Sequence, residues 1–230
     1  MIKYIGVFIL QTKKNIEIKD IIKEAKFFCQ QQSKINHVGL LGVTDGKAVG
    51  TYVEHKFQDF LLDKYDIEIG NSASGIDLPS KNINTDIKVT SIRQPQSSCP
   101  YKSSRQKIYG LGYNLLIFVY DKIDYKDKCN LQFLNCTFVD MSRTADYTTS
   151  KRIIEMLRDG AKKEDLIAYF EDRNIPGDEI TYENLANEIV TNPPIQGYLT
   201  ISNALQWRLQ YSRIIDLKNS INGVVNIDWR

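Results

Sequence analysis

The chain has 230 residues and a formal net charge of +2 at pH 7, with 42% hydrophobic and 25% charged residues. This ordinary globular composition predicts one folded domain over residues 1–230 and excludes a chain too polar to bury a core. The small net charge excludes a protein that attracts nucleic acid through a basic field over its whole surface.

Two features of the sequence concern its compartment. The longest apolar runs, such as residues 115–120, have the length of a strand and are far too short to cross a membrane. The start reaches the pair Lys13 and Lys14 without the small-residue cleavage site of a signal peptide. We therefore expect a cytoplasmic protein with no membrane segment.

The hydrophobic pattern changes its period twice along the chain. An apolar segment at residues 4–10 is followed by predicted helices at 18–32 and 48–65. Runs rich in branched and aromatic residues predict strands at 71–78, 85–91, 113–121 and 131–140, with a partly helical segment at 97–112. Helical spacing then returns at 149–159, 162–173, 182–190 and 201–217, and a short strand at 224–229 follows.

This order of elements predicts an α/β (α+β) fold with a mixed central β-sheet flanked by helices. We expect a catalytic core at about residues 48–140 and a helical C-terminal part at about 146–217. Acidic residues are absent from residues 87–120 and 189–215. Such segregation could create one basic face, which is enough to bind phosphates, although chance clustering on a solvated surface explains the pattern equally well.

The segment with the most chemical information runs from Asp77 to Lys88. In a strand at 85–91, Asp86 and Lys88 point to one face while apolar residues point to the other. Pro79 ends the pairing of the strand before it, and the polar residues 80–84 are long enough for a hairpin turn. A hairpin would return Asp86 to the neighbourhood of Asp77.

Two carboxylates and one ammonium group at one place have a definite chemistry. Aspartate oxygens suit Mg²⁺, which usually binds through one or two carboxylates together with substrate phosphates. The cation acidifies a water molecule, and a neighbouring lysine can orient that water or help to deprotonate it.

The Asp77, gap, Asp86-x-Lys88 pattern resembles the PD-(D/E)xK nuclease superfamily, and type II restriction endonucleases are its largest group of small stand-alone members. The resemblance covers residues 48–121 and implies a restriction-endonuclease-like core that hydrolyses DNA with Mg²⁺. It implies that Asp77, Asp86 and the backbone carbonyl of Ile87 bind the metal and that Lys88 positions or activates the attacking water. The chain departs from the Pro-Asp pair of the superfamily, since Ile76 precedes Asp77.

Members of this superfamily often add a glutamate from the helix before the first strand, and Glu54 occupies that place. The alternative is that Glu54 is an i,i+4 partner of Gln58 on a solvated helix face.

Two segments have the composition of DNA-contacting surfaces, because both are polar, basic and free of acids. The first predicted set is Arg93, Gln94, Gln96, Ser97, Ser98, Lys102, Arg105 and Lys107, which would hold phosphates. The second, on the helix predicted at 201–217, is Asn203, Gln206, Arg208, Gln210 and Arg213, which could read bases. Flexible loops and an ordinary packing helix are the alternatives.

The resemblance also implies partners. We expect a homodimer that cuts double-stranded DNA at a palindromic site, together with a cognate DNA methyltransferase in the same system. A structure- or mismatch-directed repair nuclease and a non-catalytic DNA-binding protein are the alternatives.

Overall fold

The computed structural model describes residues 13–70, 75–202 and 208–229. The apolar segment predicted at residues 4–10 lies outside this range. The helices are α1 (Ile18–Gln32), α2 (Gly46–Leu62), α3 (Ser104–Tyr109), α4 (Tyr147–Arg158), α5 (Lys163–Asp172), α6 (Glu179–Thr191) and α7 (Ser212–Ile215). The strands are β1 (Lys14–Asn15), β2 (Tyr65–Asp66), β3 (Thr85–Ser91), β4 (Gln96–Ser98), β5 (Asn114–Asp124), β6 (Cys129–Val139), β7 (Thr200–Ile201), β8 (Arg208–Gln210) and β9 (Val224–Asn226).

A mixed sheet forms the centre of the molecule, in the strand order β3-β5-β6-β9. The β3 and β5 strands are parallel, whereas β6 is antiparallel to both β5 and β9. The β5 strand is buried over residues 114–120, as expected of a strand covered on both faces. The predicted α/β fold with a mixed central sheet flanked by helices is confirmed.

Helices α1 and α2 cover one face of the central sheet. Their apolar sides meet Phe118 and Phe133 through Phe28 and Phe57, whose rings lie 5.1 Å apart in an edge-to-face arrangement. Gly50 of α2 packs near β3, since a side-chain carbon there would lie 3.9 Å from Val89 Cβ. This packing leaves β3 at the edge of the sheet, with the following turns of α2 above it.

A three-stranded sheet of order β4-β8-β7 covers the opposite face. Its buried residues, Ile201 and Leu209, belong to the same hydrophobic cluster as Leu115, Ile117 and Val119 of β5. Helices α4, α5 and α6 form a separate cluster around Ile153, Phe170 and Leu185 with help from Ile108 of α3. None of the helices in the described ranges has the length and apolarity that a membrane span requires.

The short strands β1, β2 and β4 were not predicted, and two predicted elements differ from the structure more strongly. The strand predicted at 71–78 is reduced to a single antiparallel bridge between Leu78 and Thr85, and residues 71–74 lie outside the described part. The helix predicted at 201–217 is wrong, because β7 and β8 lie in this segment and, among its described residues 201–202 and 208–217, only the short α7 is helical. The helical C-terminal part therefore ends with α6 at Thr191. Alternation of Arg208, Leu209, Gln210 and Tyr211 between polar and apolar was the strand signal in this segment.

Candidate active site

The predicted hairpin between Asp77 and Asp86 exists and is held by backbone hydrogen bonds. The amide of Leu78 donates to Thr85 O, and the amide of Thr85 donates back to Leu78 O, both at 3.0 Å. This register places Asp77 opposite Asp86, at the closer, non-hydrogen-bonded position of an antiparallel pair. The turn ends at Asn84, whose positive φ of 29° suits asparagine better than most residues.

The two aspartates are in contact at the free edge of β3. Their carboxyl groups lie close enough that each shifts the pKa of the other, and Asp77 Oδ2 accepts the amide of Ile87 at 2.6 Å. In an extended strand the N–H and C=O of one residue point to the same side. The carbonyl of Ile87 therefore also points to the edge where Asp77 lies.

Burial makes this pair of carboxyl groups electrostatically unusual. The pKa of Asp86 is raised to about 7, mainly by burial and also by Asp77, against the opposing effect of Lys88. Burial likewise raises the pKa of Asp77, with Glu54 adding to the rise and the Ile87 amide and Lys88 opposing it. The site therefore brings together two carboxylates that are poorly solvated and repel each other unless a cation joins them.

Lys88 supplies a positive charge beside this pair. Its Nζ lies 2.6 Å from Asp86 Oδ2, and its side chain is 24% exposed while that of Asp86 is 5% exposed. Oδ2 is nevertheless a buried oxygen without a properly directed hydrogen bond. Lys88 thus remains partly accessible to solvent.

The donor set suits a hard divalent cation. An unsatisfied buried carboxylate oxygen, a second carboxylate and an edge carbonyl are all oxygen ligands of the kind such ions prefer. In the described part of the chain no group of three or more His, Cys, Asp or Glu side chains is arranged to hold a metal. Any metal here would depend on Asp77 and Asp86, with the Ile87 carbonyl as the remaining protein ligand.

Glu54 lies on the side of α2 that faces β3, one turn beyond Gly50. It is half-buried, and its charge contributes to the raised pKa of Asp77. Gln58, one turn further, is only 7% exposed, so this part of α2 is not the solvated face that the alternative required.

Comparisons with known proteins identify the family of the chain. The family model described as Type II restriction enzyme NspV matches residues 15–226. A curated relative, Type II restriction enzyme NspV from Nostoc sp. (strain ATCC 29411 / PCC 7524), is 52% identical over 214 residues, which cover 92% of this chain and 96% of the relative. The chain belongs to the NspV family of type II restriction enzymes. No solved structure matches.

Family membership confirms the type II restriction endonuclease predicted from the sequence. The chain is therefore a site-specific deoxyribonuclease, an enzyme rather than a non-catalytic DNA-binding protein. The repair-nuclease alternative receives no support from either comparison. The match extends through the C-terminal elements, which the resemblance drawn from residues 48–121 had left open.

In this NspV-family chain, the residues predicted to hold phosphates lie in separate places. Arg93, Gln94 and Gln96 line an open cavity of about 670 Å³, in which Arg93 pairs with Asp121 at 3.2 Å. Ser97 and Ser98 lie on β4, where Ser97 Oγ is 2.7 Å from the hydroxyl of Tyr211. The first part of the predicted set is thus next to β3.

The second part of that set is further along the chain and differs in accessibility. Lys102 and Arg105 line another cavity, of about 860 Å³, against α6. There Arg105 forms a two-pronged ion pair with Glu188, with Nη2 2.6 Å from Oε1 and Nε 2.9 Å from Oε2. Lys107 is only 1% exposed, so its ammonium group lies inside the protein and we withdraw it as a phosphate contact.

The residues predicted on the C-terminal helix are also redistributed. Arg208 and Gln210 lie on β8, and Asn203 and Gln206 lie outside the described residues. Arg213 packs its guanidinium 3.7 Å from the centre of the Tyr147 ring, and its Nε is buried without a hydrogen bond. This contact gives Arg213 a packing role in the structure.

Sequence reasoning missed two tyrosines near the carboxylate pair, Tyr113 just before β5 and Tyr211 just after β8. Burial raises the pKa values of Tyr113 and Tyr211, and the charge of Asp86 raises both further, which places these rings near the aspartate. Thr90, two residues beyond Lys88 on the same side of β3, is 4% exposed. The two-residue spacing of Asp86, Lys88 and Thr90 along a strand is the sequence signal that places Thr90 on the same face.

Proposed function

We propose that this restriction enzyme hydrolyses phosphodiester bonds of double-stranded DNA at a specific site, with Mg²⁺, leaving a 5′-phosphate and a 3′-hydroxyl. The observation that carries the proposal is the pair formed by the half-buried Asp77 and the buried Asp86 beside the ammonium group of Lys88. Burying such a pair costs free energy, and a structural role alone would not offset that cost. The pair also has the composition of a Mg²⁺ site.

Asp77 and Asp86 would hold Mg²⁺ through their carboxylate oxygens, with the carbonyl of Ile87 as a third protein ligand. When bound, Mg²⁺ supplies a more acidic water and neutralises charge on the phosphate. The amide of Ile87 fixes the orientation of Asp77 through its hydrogen bond to Oδ2. We propose that Glu54 acts on the same site through its charge.

Lys88 orients the attacking water and stabilises the negative charge that develops as the phosphodiester is attacked. Its Nζ already lies beside Asp86, and its side chain is exposed enough to reach a phosphate of bound DNA. A lysine ammonium is a compact point charge with rotatable donors, which suits both tasks.

The proposed activity is tested by incubating the purified protein with plasmid DNA. We expect discrete bands with Mg²⁺ or Mn²⁺, and no cleavage with EDTA or with Ca²⁺ alone. Sequencing of the ends should give one common site with 5′-phosphates. A smear, or cutting that persists in EDTA, would contradict a metal-dependent, site-specific reaction.

The active species should be a homodimer on a palindromic site, because one active site of this kind cuts one strand and a two-fold axis supplies the second. Sedimentation of the protein with a duplex carrying the mapped site, in Ca²⁺ to prevent cutting, should give two chains per duplex. One chain per duplex would count against the dimer. An equal-length duplex without the site is the control.

We further propose a cognate DNA methyltransferase as the partner of this enzyme, acting in the same cytoplasm. Methylated plasmid from a host that carries the pair should resist cutting, while unmethylated plasmid is cut.

A further inference from the structure

The two segments predicted separately to contact DNA form one sheet in the structure. The β4 strand pairs with β8 so that Gln96 lies opposite Gln210 and Ser98 opposite Arg208. The β7 strand pairs with the other side of β8 and places Thr200 opposite Gln210. Residues that are more than 100 positions apart in the chain are therefore neighbours.

The alternation of side chains divides this small sheet into two different faces. The middle row consists of Ser97, Leu209 and Ile201, of which Leu209 is fully buried and Ile201 is 5% exposed. Side chains in the rows on either side must point the other way. We call that outer surface the polar sheet face; it consists of Gln96, Ser98, Thr200, Arg208 and Gln210.

The polar sheet face points in the same direction as the catalytic side of β3. Asp86 and Lys88 are in register with Leu115 and Ile117 of the parallel neighbour β5, so all four side chains share one face of the central sheet. The small sheet covers that face with its apolar side. The polar side of the small sheet therefore faces away from the central sheet, in the direction in which the side chain of Lys88 extends from β3.

Hydrogen bonds hold the small sheet rigidly against the active site. Thr90 Oγ1, on the catalytic side of β3, lies 3.3 Å from the carbonyl oxygen of Gln94 and 3.4 Å from that of Gln96. At the far edge, Asp146 Oδ1 accepts the amide of Ile201 at 2.9 Å, while Asp146 Oδ2 caps α4. A binding surface on fixed strands is more precise than one on loops.

The chemistry of the polar sheet face matches that of base recognition. It carries amides, hydroxyls and one guanidinium group, without an acidic side chain among its members. Glutamine can pair with adenine through two hydrogen bonds in the major groove, and arginine can do so with guanine. Directly opposed residues on neighbouring strands have Cβ atoms about 5 Å apart, so Gln96 and Gln210 can address neighbouring bases.

We propose that the polar sheet face reads the DNA target in the major groove, with Gln96 and Gln210 as specificity-determining residues and Arg208 as a further base or phosphate contact. This rests on the proposed function, because it assumes that DNA crosses the side of the molecule that exposes Lys88.

The test is the rate of cutting at the mapped site compared with sites that differ by one base pair. For Gln96→Ala and Gln210→Ala we expect the rate at the mapped site to fall roughly 10- to 100-fold. The rate at one or more DNA sites with a changed base pair should fall much less. The ratio of the rate at the mapped site to the rate at the changed site should therefore drop for changes at one position of the site. The isosteric Gln210→Glu should shift that ratio without changing the volume of the side chain.

The matched control is Gln31→Ala, an exposed glutamine on α1, which lies on the opposite face of the central sheet. It should leave all rates unchanged. Thermal melting establishes that each variant is folded. If Gln96 and Gln210 variants, including Gln210→Glu, cut every site with wild-type ratios, the inference is wrong although the nuclease activity stands. If the wild type does not cut at all, the proposed function fails first.

Discussion

Replacing Asp86 with alanine is expected to abolish cleavage while the protein stays folded. Asp86 is one of the two paired carboxylates at this edge of β3, and losing it removes one of the two carboxylates proposed to hold the cation. The measurement is plasmid cleavage in Mg²⁺ over several hours, with circular dichroism to establish the fold. Asp127→Ala, an exposed aspartate between β5 and β6, is the control and should cut normally.

The isosteric Asp86→Asn variant tests the same site through stability. Because the pKa of Asp86 is raised to about 7 in the folded protein, burying its charge destabilises the metal-free wild type as the pH rises from 4 to 7. Asparagine does not ionise. In EDTA above pH 7, we therefore expect Asp86→Asn to melt at least about 2 °C higher than the wild type, with the difference disappearing near pH 4.

Added Mg²⁺ should raise the melting temperature of the wild type and leave that of Asp86→Asn nearly unchanged, because a ligand that binds only the folded state stabilises it. Wild-type cleavage by Asp86→Ala would remove the central claim about the site. An Asp86→Asn variant that melts below the wild type in EDTA would mean that Asp86 is held by structural contacts and is not strained by burial.

The hairpin that carries Asp77 and Asp86 could be predicted because the pairing that brings the two residues together is local in sequence. Asp77 and Asp86 are nine positions apart, Pro79 ends the first segment, and alternation along β3 fixes which side chains share a face. The bounds of β3 agree with the prediction for the same reason. The exact partner of Asp77, the amide of Ile87, follows from the register and not from any residue type.

The small sheet could not be predicted because its pairing joins distant segments. Residues 201–217 contain both helical and alternating apolar spacing, and the choice is made by β4, which supplies the partner for Arg208 and Gln210. Tertiary pairing overrides local preference in such ambiguous segments. The prediction gave this segment the wrong secondary structure. Two of the residues that it named, Arg208 and Gln210, still lie on an outward face of the small sheet.

The fate of the basic residues could not be predicted from composition either. Lys107 and Arg105 stand two positions apart in the same acid-free stretch, yet one is buried and the other is paired with Glu188 from a helix more than 80 residues away. A stretch free of acids in the sequence is thus not free of acids in space. Arg208, by contrast, is half-buried on the surface of the small sheet.

Replacing Lys88 with alanine is expected to slow cleavage at least ~100-fold, the usual scale for a positioned electrostatic or proton-transfer group. Specific DNA binding in Ca²⁺ should survive, because Asp77 and Asp86 remain. Single-turnover cleavage and filter binding on the mapped site measure the two quantities separately. Lys126→Ala, in the exposed turn between β5 and β6, is the matched control.

Lys88→Arg distinguishes the two roles that a lysine can have at this position. Arginine keeps the positive charge beside Asp86 but does not give up a proton in the accessible pH range. If Lys88 acts by charge alone, Lys88→Arg should recover much of the lost rate; if it also moves a proton, the rate should stay low and lose its dependence on pH. Undiminished cutting by Lys88→Ala would instead reduce the 2.6 Å contact with Asp86 to an ordinary ion pair at the edge of a sheet.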